Sequence, residues 1–493
     1  MPGPIEHVIV LMLENRSFDH LFAYSGIANL QGVDTSKSNP DKDGNPVAMS
    51  DTTPDSSPSD PGHEFEDVDW QIYGVTGYPA PRPILMNGFA SKDWPEAMQC
   101  AKPALVPALT HLAQTFLVCD RWFSSLPGPT WPNRFFVHAG SSGGLANSPS
   151  NLTSIGSTLW SKLGFSFEHG TLFDALTGAG KSWRVYHGDD FPQVCAIDNM
   201  PSVFVASPDQ FRKIDALAGD LHRGDAADYT FIEPDYGILS SFRNGNSQHP
   251  SGTLSAGDKL IQTVASAVMT SAIWMSSLLV VLYDEHGGFY DQAPTPTGVA
   301  PPGDDARNAD KAATAPNPPF AFDRLGVRVP AVIVSPWIKP GVSHTLYDHA
   351  SIVRTVFEVF SLPGRLTDRD GRAASLGALI EPSVQTATPG PVPAAMIAPQ
   401  TASPTAPSPR YVHSLDGFVR IAAQVHHALL KHQSAPHLAP DALHAAIATA
   451  NTDLAYLPGL PRTSSADESR AYLAHVAQLV ALHRQRQRAG LAP

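Results

Sequence analysis

An apolar run and an acidic pair meet in the stretch LLVVLYDEHGG, residues 278–288. An uninterrupted apolar run of this length is typical of a strand that is buried on both faces of a parallel sheet. The stretch VIVLMLEN, residues 8–15, repeats the arrangement with a second polar pair. Because open α/β sheets bind ligands beyond the carboxyl ends of their strands, both pairs are expected at one edge of one sheet.

The two pairs are Asp284 with Glu285 and Glu14 with Asn15. Adjacent residues of a strand point to opposite faces, so each pair can serve one ion only from the loop beyond the strand. Three carboxylates and an amide oxygen are hard donors that suit Mg²⁺, Ca²⁺ or Mn²⁺ and tolerate Zn²⁺. A plainer interpretation makes Glu14 a strand-end charge or N-cap acid and the second pair a solvated turn. The repetition of the arrangement favours a site for one divalent metal ion.

A candidate nucleophile lies in the stretch GPTWPNRFF, residues 128–136. Pro132 suits the first turn of a helix, so Thr130 would stand at that helix's N-terminus. Backbone N–H groups and the helix dipole favour an alkoxide and a phosphate there, and a nearby metal ion would favour the deprotonated hydroxyl further. The alternative is that Thr130 is a helix N-cap and nothing more.

These stretches occur in the order seen in one known family. The chain resembles the bacterial phosphoesterase family that contains phospholipases C and related acid phosphatases, whose core resembles the alkaline phosphatase superfamily. The segments SPWIKPG at 335–341 and YDHAS at 347–351 match as well, and the resemblance spans residues 5–380. It implies an α/β fold in which helices flank a mostly parallel central sheet.

The resemblance also implies roles for individual residues. Glu14, Asn15, Asp284 and Glu285 look like the ligands of one metal ion, with Thr130 at the nucleophile position beside it. A threonine at that position favours phospholipase C, because the acid phosphatases of the family have serine there.

Histidines line the pocket of this family, and several histidines here are candidates for proton transfer. The order of preference is His249, then His63, then His187. His286 lies within the acidic stretch, where it takes part in catalysis or orients the loop. Arg134 is a candidate for pairing a substrate phosphate oxygen, with a buried structural arginine as the alternative.

The function implied is a metal-dependent phosphoric-ester hydrolase of phospholipase C type. It would cleave phosphodiesters, such as a phospholipid, through a phospho-threonine intermediate. A broad-specificity acid phosphatase is the alternative within the same class. A catalytically silent binding protein on the same scaffold is the alternative from another class, although a binding protein has no need of a nucleophile.

Charge and hydropathy argue against other classes of protein. The 33 basic and 46 acidic residues give a formal net charge of −13, without a basic cluster except the terminal arginines. Nucleic-acid binding needs a concentrated positive surface and is not expected. No apolar run approaches the roughly 18 residues of a transmembrane helix. No signal-peptide pattern is visible, so a cytoplasmic protein or a mature, trimmed exported form is expected.

Composition divides the chain into three parts. Residues 1–380 are predicted to form the catalytic domain, residues 381–411 a proline-rich linker or strap, and residues 412–493 a small helical appendage. Within the first part, His349 is predicted to cap a helix that begins near Ala350. The predicted strands cover residues 5–13, 116–119, 183–186, 229–232, 278–283 and 329–335, and the predicted helices cover 103–116, 257–276 and 350–360.

The helical appendage contains three helical patterns. The second covers residues 440–456 and the third residues 466–488. Apolar residues that share a face are Phe418, Ile421, Val425 and Leu429 in the first pattern, and Tyr472, Val476, Leu479 and Leu482 in the third.

Overall fold

The structure is a computed structural model, which describes most of the 493 residues. The described residues are 3–74, 82–92, 94–148, 164–308, 320–386, 389–395, 409–434 and 466–489. The helix predicted over 440–456 and much of the predicted linker lie outside them.

A mixed sheet with helices around it forms the core. Its strands and those of a separate hairpin are β1 (His7–Leu13), β2 (Ser38–Pro40), β3 (Pro46–Ala48), β4 (Leu117–Cys119), β5 (Trp183–His187), β6 (Phe211–Lys213), β7 (Tyr229–Glu233), β8 (Ser277–Tyr283), β9 (Ala331–Val334) and β10 (Gly341–Ser343). The central sheet has, within the described residues, eight strands in the order β10-β4-β9-β8-β1-β7-β5-β6. Its pairs are parallel except that β9 runs antiparallel to β8 and to β4. The predicted α/β class with a mostly parallel sheet is confirmed.

The α-helices of the described residues surround that sheet. They are α1 (Phe18–Phe22), α2 (Phe65–Tyr73), α3 (Pro107–Thr115), α4 (Thr130–Ala139), α5 (Leu172–Gly178), α6 (Met200–Ala206), α7 (Leu217–His222), α8 (Leu254–Met269), α9 (Ala350–Val359), α10 (Asp368–Arg372), α11 (Pro409–Ser434) and α12 (Ala466–Arg488). None of these helices has both the length and the apolar character that crossing a bilayer requires.

The register between β1 and β8 places the two polar pairs side by side. The strands are parallel neighbours, and Leu13 lies opposite Tyr283. Both residues end their strands, so the polar pairs that follow them begin at the same level of the sheet edge. The backbone N–H of Asp284 donates to the Leu13 carbonyl at 3.2 Å, which extends the pairing by one residue into the site.

One predicted element differs from the observed one. The helix predicted over 257–276 ends at Met269, and a short 3₁₀ turn, Trp274–Ser276, leads into β8. The segment before α2 contains the hairpin β2–β3, because Asp41 Oδ1 accepts the backbone N–H groups of Asp43 and Asn45 and closes the turn.

The C-terminal helices pack on each other and on α6. The predicted apolar face of α11 is confirmed, since its four residues are buried. In α12 the predicted face is partly wrong: Leu482 is 47% exposed, and the inward stripe instead contains Leu473, Val480 and His483. The boundaries proposed at 380 and 411 stay predictions.

A buried arginine ties together the loops that follow β1 and β8. Arg328 is 1% exposed, and its guanidinium contacts Asp19 Oδ1 at 2.8 Å and Asp291 Oδ1 at 3.1 Å. It also donates to the Asp120 carbonyl at 3.0 Å. Burial raises the pKa of Asp291 to about 7 against the opposing charge of Arg328. One cation therefore holds two acidic loops that would otherwise repel each other.

We expect Arg328→Met to destabilise the fold by about 3–5 kcal/mol, because it leaves two buried carboxylates without a cation. Urea unfolding measures the change. The matched control is Arg307→Met, which removes a partly exposed ion pair with Asp305 and should cost under about 1 kcal/mol. Equal losses for the two variants would contradict a structural role for the buried network.

Candidate active site

Asn15 joins the separate parts of the site. Its backbone N–H donates to Asp284 Oδ1 at 3.1 Å. Its side-chain Nδ2 lies 3.5 Å from Thr130 Oγ1 and also donates to Glu285 Oε1. Residues that are distant in the sequence thus converge on one amide group.

The polar residues beyond β1 and β8 are enclosed by protein. Glu14 is 2% exposed, and Asn15, Asp284 and Glu285 are 0% exposed. A solvated turn or a strand-end surface charge is therefore excluded for these residues. Asn15 adopts a φ of 63°, in the left-handed region that asparagine tolerates better than most residues.

Thr130 opens the helix α4 without capping it. The N-cap is Pro129 and no side-chain cap bond is formed, so the plain N-cap interpretation of Thr130 is wrong. Asn133 holds the preceding turn by donating to the carbonyls of Gly128 and Pro129 at 2.8 and 3.1 Å. Thr130 is half-buried while the next nine residues of the helix are buried. Its hydroxyl is thus the more accessible member of a buried set.

Two glycines of the acidic stretch allow three loops to meet. Gly287 and Gly288 have φ values of 63° and 75°, which other residues rarely adopt. A Cβ at Gly287 would overlap the Asn15 carbonyl, and one at Gly288 would lie 2.6 Å from the Cβ of Pro61. The loops after β1 and before α2 therefore press directly on this turn.

Arg134 is the buried cation of the site. Its Nε donates to Asp284 Oδ2 at 3.0 Å, and its Nη2 lies 3.6 Å from Glu14 Oε2. Its Nη1 donates to the Tyr236 hydroxyl at 2.9 Å. With Arg134 only 3% exposed, these contacts favour the structural alternative over direct pairing with a substrate phosphate.

The three carboxyls of this cluster outnumber its one arginine. Glu14, Asp284 and Glu285 can carry −3, and Arg134 supplies +1, which leaves −2 in a buried place. Burial raises the pKa of Glu14 well above its usual value, with Arg134 opposing, and raises that of Asp284 to about 6. Unbalanced buried charge is costly, so these carboxyls must bind protons or a cation.

The residues present fit one divalent ion. Glu14 Oε2 and Asn15 Oδ1 are buried oxygens that form no hydrogen bond in the structure, and oxygen donors of this kind suit Mg²⁺, Ca²⁺ or Mn²⁺. Across the described ranges no group of three or more His, Cys, Asp or Glu side chains is arranged to hold a metal. The metal-ligand role of Glu14, Asn15, Asp284 and Glu285 therefore stays a prediction, which the two unbonded oxygens support.

Two of the predicted histidines, His249 and His63, interact electrostatically with Glu285. His249 stacks on Phe242 with 3.9 Å between ring centroids, and its Nε2 lies 3.9 Å from Asp60 Oδ1. Burial lowers the pKa of His249 to about 4, with Asp60 opposing that shift and His63 adding to it. Burial would raise the pKa of Glu285, but the charge of His63 and the hydrogen bond of His286 outweigh it and lower that pKa.

The other two predicted histidines have different surroundings. His286 Nε2 bonds to Gln71 Oε1 at 2.7 Å, and its Nδ1 lies 3.3 Å from Glu285 Oε2; these contacts fit a group that orients Glu285. His187 ends β5, where its Nδ1 bonds to the Asp189 carbonyl at 2.6 Å and its ring packs on Phe204. No contact among the described residues joins His187 to Thr130 or Glu285, so its catalytic role stays a prediction.

His349 was missed as a site residue. It is the N-cap residue of α9, as predicted, but its side chain forms no cap bond. Its Nε2 instead bonds to the Asp284 carbonyl at 2.5 Å, and its Nδ1 accepts from Trp122 Nε1 at 3.2 Å. The family resemblance of the segment YDHAS could have pointed to His349 as a site residue. Its partner, the carbonyl of Asp284, lies 65 residues earlier in the chain, so local sequence does not show the contact.

Comparison with known proteins gives consistent matches. The profile of the "Phosphoesterase family" matches residues 5–363. Non-specific phospholipase C3 of Arabidopsis thaliana is 35% identical over 77% of this chain and 74% of its own length. Hemolytic phospholipase C of Pseudomonas aeruginosa is 25% identical over 71% of this chain and 52% of its own length. A solved protein in the alkaline phosphatase superfamily from Vibrio parahaemolyticus is 12% identical with a TM-score of 0.34, over 76% of this chain and 71% of that one.

We expect Gly287→Ala to destabilise the fold by about 1–3 kcal/mol more than Gly298→Ala, because the added methyl group overpacks against Asn15. Gly298 is the matched control: its φ is 72° and nothing lies within 4 Å of a Cβ built there, so both variants share the left-handed strain. Thermal or urea unfolding of both variants measures the difference. Equal stabilities would show that the turn does not press on Asn15.

Affinity for a divalent cation should fall as the pH is lowered through about 6, the value to which burial raises the pKa of Asp284. Below that pH a proton occupies the carboxyl and must leave before a metal can bind, so affinity drops about tenfold per pH unit. Calorimetry with Mg²⁺ or Mn²⁺ between pH 5 and 8 measures the slope, and Asp284→Asn should make it less steep, with the part due to Glu14 remaining. An affinity that is independent of pH in the unchanged protein would refute the proposed ligand role.

Proposed function

The chain belongs to the phosphoesterase family, and from this we propose that it is a phosphoric-ester hydrolase of phospholipase C type that uses Thr130 as its nucleophile. The observation that carries the proposal is the position of Thr130 Oγ1, 3.5 Å from the amide group that also contacts Glu285. A silent binding protein has no use for a partly accessible hydroxyl beside buried uncompensated carboxylates.

Thr130 would form the covalent intermediate. Its Oγ attacks phosphorus in line, the bond from phosphorus to the leaving alcohol breaks, and a phospho-threonine remains. Water then attacks phosphorus, and Thr130 regains its proton while phosphate or the phosphorylated head group departs. The N-terminus of α4 favours the negative charge that develops on these oxygens, since its N–H groups point toward them.

His249 is the best candidate for moving the proton. Because burial lowers its pKa to about 4, its imidazole is neutral at pH 7, which is the state in which a general base would take up the Thr130 proton. Asp60, at 3.9 Å, stabilises the imidazolium that results. The same proton then neutralises the leaving alkoxide, so protons balance in the first step. His63, which bonds through Nδ1 to the Pro61 carbonyl at 2.9 Å, is the second candidate.

The buried residues around the nucleophile have supporting roles. Glu14, Asn15, Asp284 and Glu285 would hold a divalent ion, and Arg134 would keep Asp284 ionised and oriented. When bound, such an ion supplies a positive charge that stabilises a phosphoryl oxygen and the nucleophilic oxygen. His286 and His349 fix the loop that presents Asp284 and Glu285.

The substrate proposed is a phosphodiester with an apolar alcohol, as in a phospholipid. The name of the Arabidopsis relative states a phospholipase C activity, and threonine at the nucleophile position leans the same way. An acid phosphatase would instead prefer a phosphate monoester. The two are separated by comparing kcat/KM on a chromogenic phosphocholine ester with that on the corresponding phosphate monoester.

Thr130→Ala should lower kcat on the phosphocholine ester by about 10⁴-fold or more, since it removes the nucleophile. Thr130→Ser keeps a hydroxyl and should retain most activity. Exhaustive chelation should abolish turnover in the unchanged protein, and added divalent ion should restore it. The assay is release of the chromophore at pH 7.

Trapping adds a direct readout. Acid quenching during turnover should give a phosphorylated peptide that contains Thr130, and the peptide should be absent from Thr130→Ala. Undiminished turnover by Thr130→Ala, or full activity after chelation, would eliminate this mechanism.

A further inference from the structure

A helix near the C-terminus packs directly on the residue after the nucleophile. Phe418 of α11 is 1% exposed, and its ring centroid lies 5.9 Å from that of Trp131 in an edge-on arrangement. Trp131 is 2% exposed and follows Thr130 in the first turn of α4. The family profile ends at residue 363, so this contact comes from outside the matched region.

The close approach of the two helices depends on a glycine. A Cβ built at Gly417 would overlap the Trp131 ring. Glycine inside a helix destabilises it relative to alanine, and the packing on Trp131 is a reason for its presence within α11. The indole of Trp131 occupies the space that any other residue at 417 would fill.

The same phenylalanine supports the acidic side of the site. The Phe418 ring centroid lies 5.6 Å from that of Tyr236. The Tyr236 hydroxyl accepts from Arg134 Nη1 at 2.9 Å, and Arg134 Nε donates to Asp284 Oδ2 at 3.0 Å. One side chain of α11 thus touches both the nucleophile helix and the group that holds the buried cation.

A further contact braces the outer part of α4. The Arg420 guanidinium carbon lies 5.0 Å from the centroid of the Phe165 ring. Phe165 in turn lies 4.8 Å from Phe135 between ring centroids. The helix α11 therefore contacts α4 directly at Trp131, near the start of α4. One turn later it reaches Phe135 indirectly, through Phe165.

We propose that α11 is a positioning element of the active site and that Phe418 is its main positioning residue. The proposal rests on the proposed function. Thr130 is the first residue of α4, so the direction of its hydroxyl follows the placement of that helix turn. Trp131 can relax toward any space left at 418, and a displacement of about 1 Å in a reacting group lowers the rate about 100-fold.

The test compares two truncations on the same helix. Phe418→Ala should lower kcat on the chromogenic phosphocholine ester by about 10–100-fold, while KM changes little because the contact does not involve bound substrate. Phe418→Leu keeps apolar bulk and should recover part of the loss. Acrylamide quenching of tryptophan fluorescence measures how exposed Trp131 is, once the signal of the matching Trp131→Phe variant has been subtracted. Trp131 should be more exposed in Phe418→Ala than in the unchanged protein.

Leu429→Ala is the matched control. Leu429 is 2% exposed on the same helix, about 16 Å further along its axis. Both truncations remove a buried side chain and should lower the urea concentration at the unfolding midpoint, but Leu429→Ala should keep the kcat of the unchanged protein at temperatures where both variants are folded.

The outcomes separate the two hypotheses. Equal kcat values for Phe418→Ala and Leu429→Ala would overturn the positioning role while leaving Thr130 as the nucleophile. A fall in kcat that Phe418→Leu does not relieve, with Trp131 no more exposed, would also overturn it. If the unchanged protein hydrolyses no phosphate ester, or if Thr130→Ala is fully active, the proposed function fails, and this inference fails with it.

Discussion

The parallel register of β1 and β8 is the constraint on which the rest of the site depends. Because Leu13 lies opposite Tyr283 at the ends of both strands, the next residues of each strand emerge side by side. A slip of one residue would turn every side chain to the other face of the sheet. The pairs Glu14-Asn15 and Asp284-Glu285 would then separate, and Asn15 could no longer contact both Asp284 and Thr130.

That convergence concentrates negative charge in a buried place, and much of the surrounding structure compensates for it. Arg134 pairs with Asp284 and Glu14, and Arg328 pairs with Asp19 and Asp291 in the adjoining loops. Each arginine is buried, and each is also bonded to backbone carbonyls or hydroxyls that fix its position. The negative charge that remains on the first cluster motivates the proposal that it binds a divalent ion.

Close packing of loops explains why the glycines of the acidic stretch matter as much as its carboxylates. Gly287 lets the loop after β1 approach, and Gly288 does the same for the loop before α2, which brings His63 toward Glu285. At the other side of the site, Gly417 allows α11 to approach Trp131. The candidate active site is thus assembled by close contacts between segments from five parts of the chain.

The sequence by itself determined the α/β class, the strands that carry the polar pairs and the identity of the polar pairs, because an apolar run and its end are local features of the chain. The burial of Asp284, the pairing of Arg134 with it and the contact of His349 with its carbonyl were decided by the tertiary structure. So were the position of His187, which contacts neither Thr130 nor Glu285 among the described residues, and the packing of α11 on Trp131. These facts join residues far apart in the chain, and local pattern does not specify distances between elements. Strand register, helix packing and the neutralisation of buried charge set those distances.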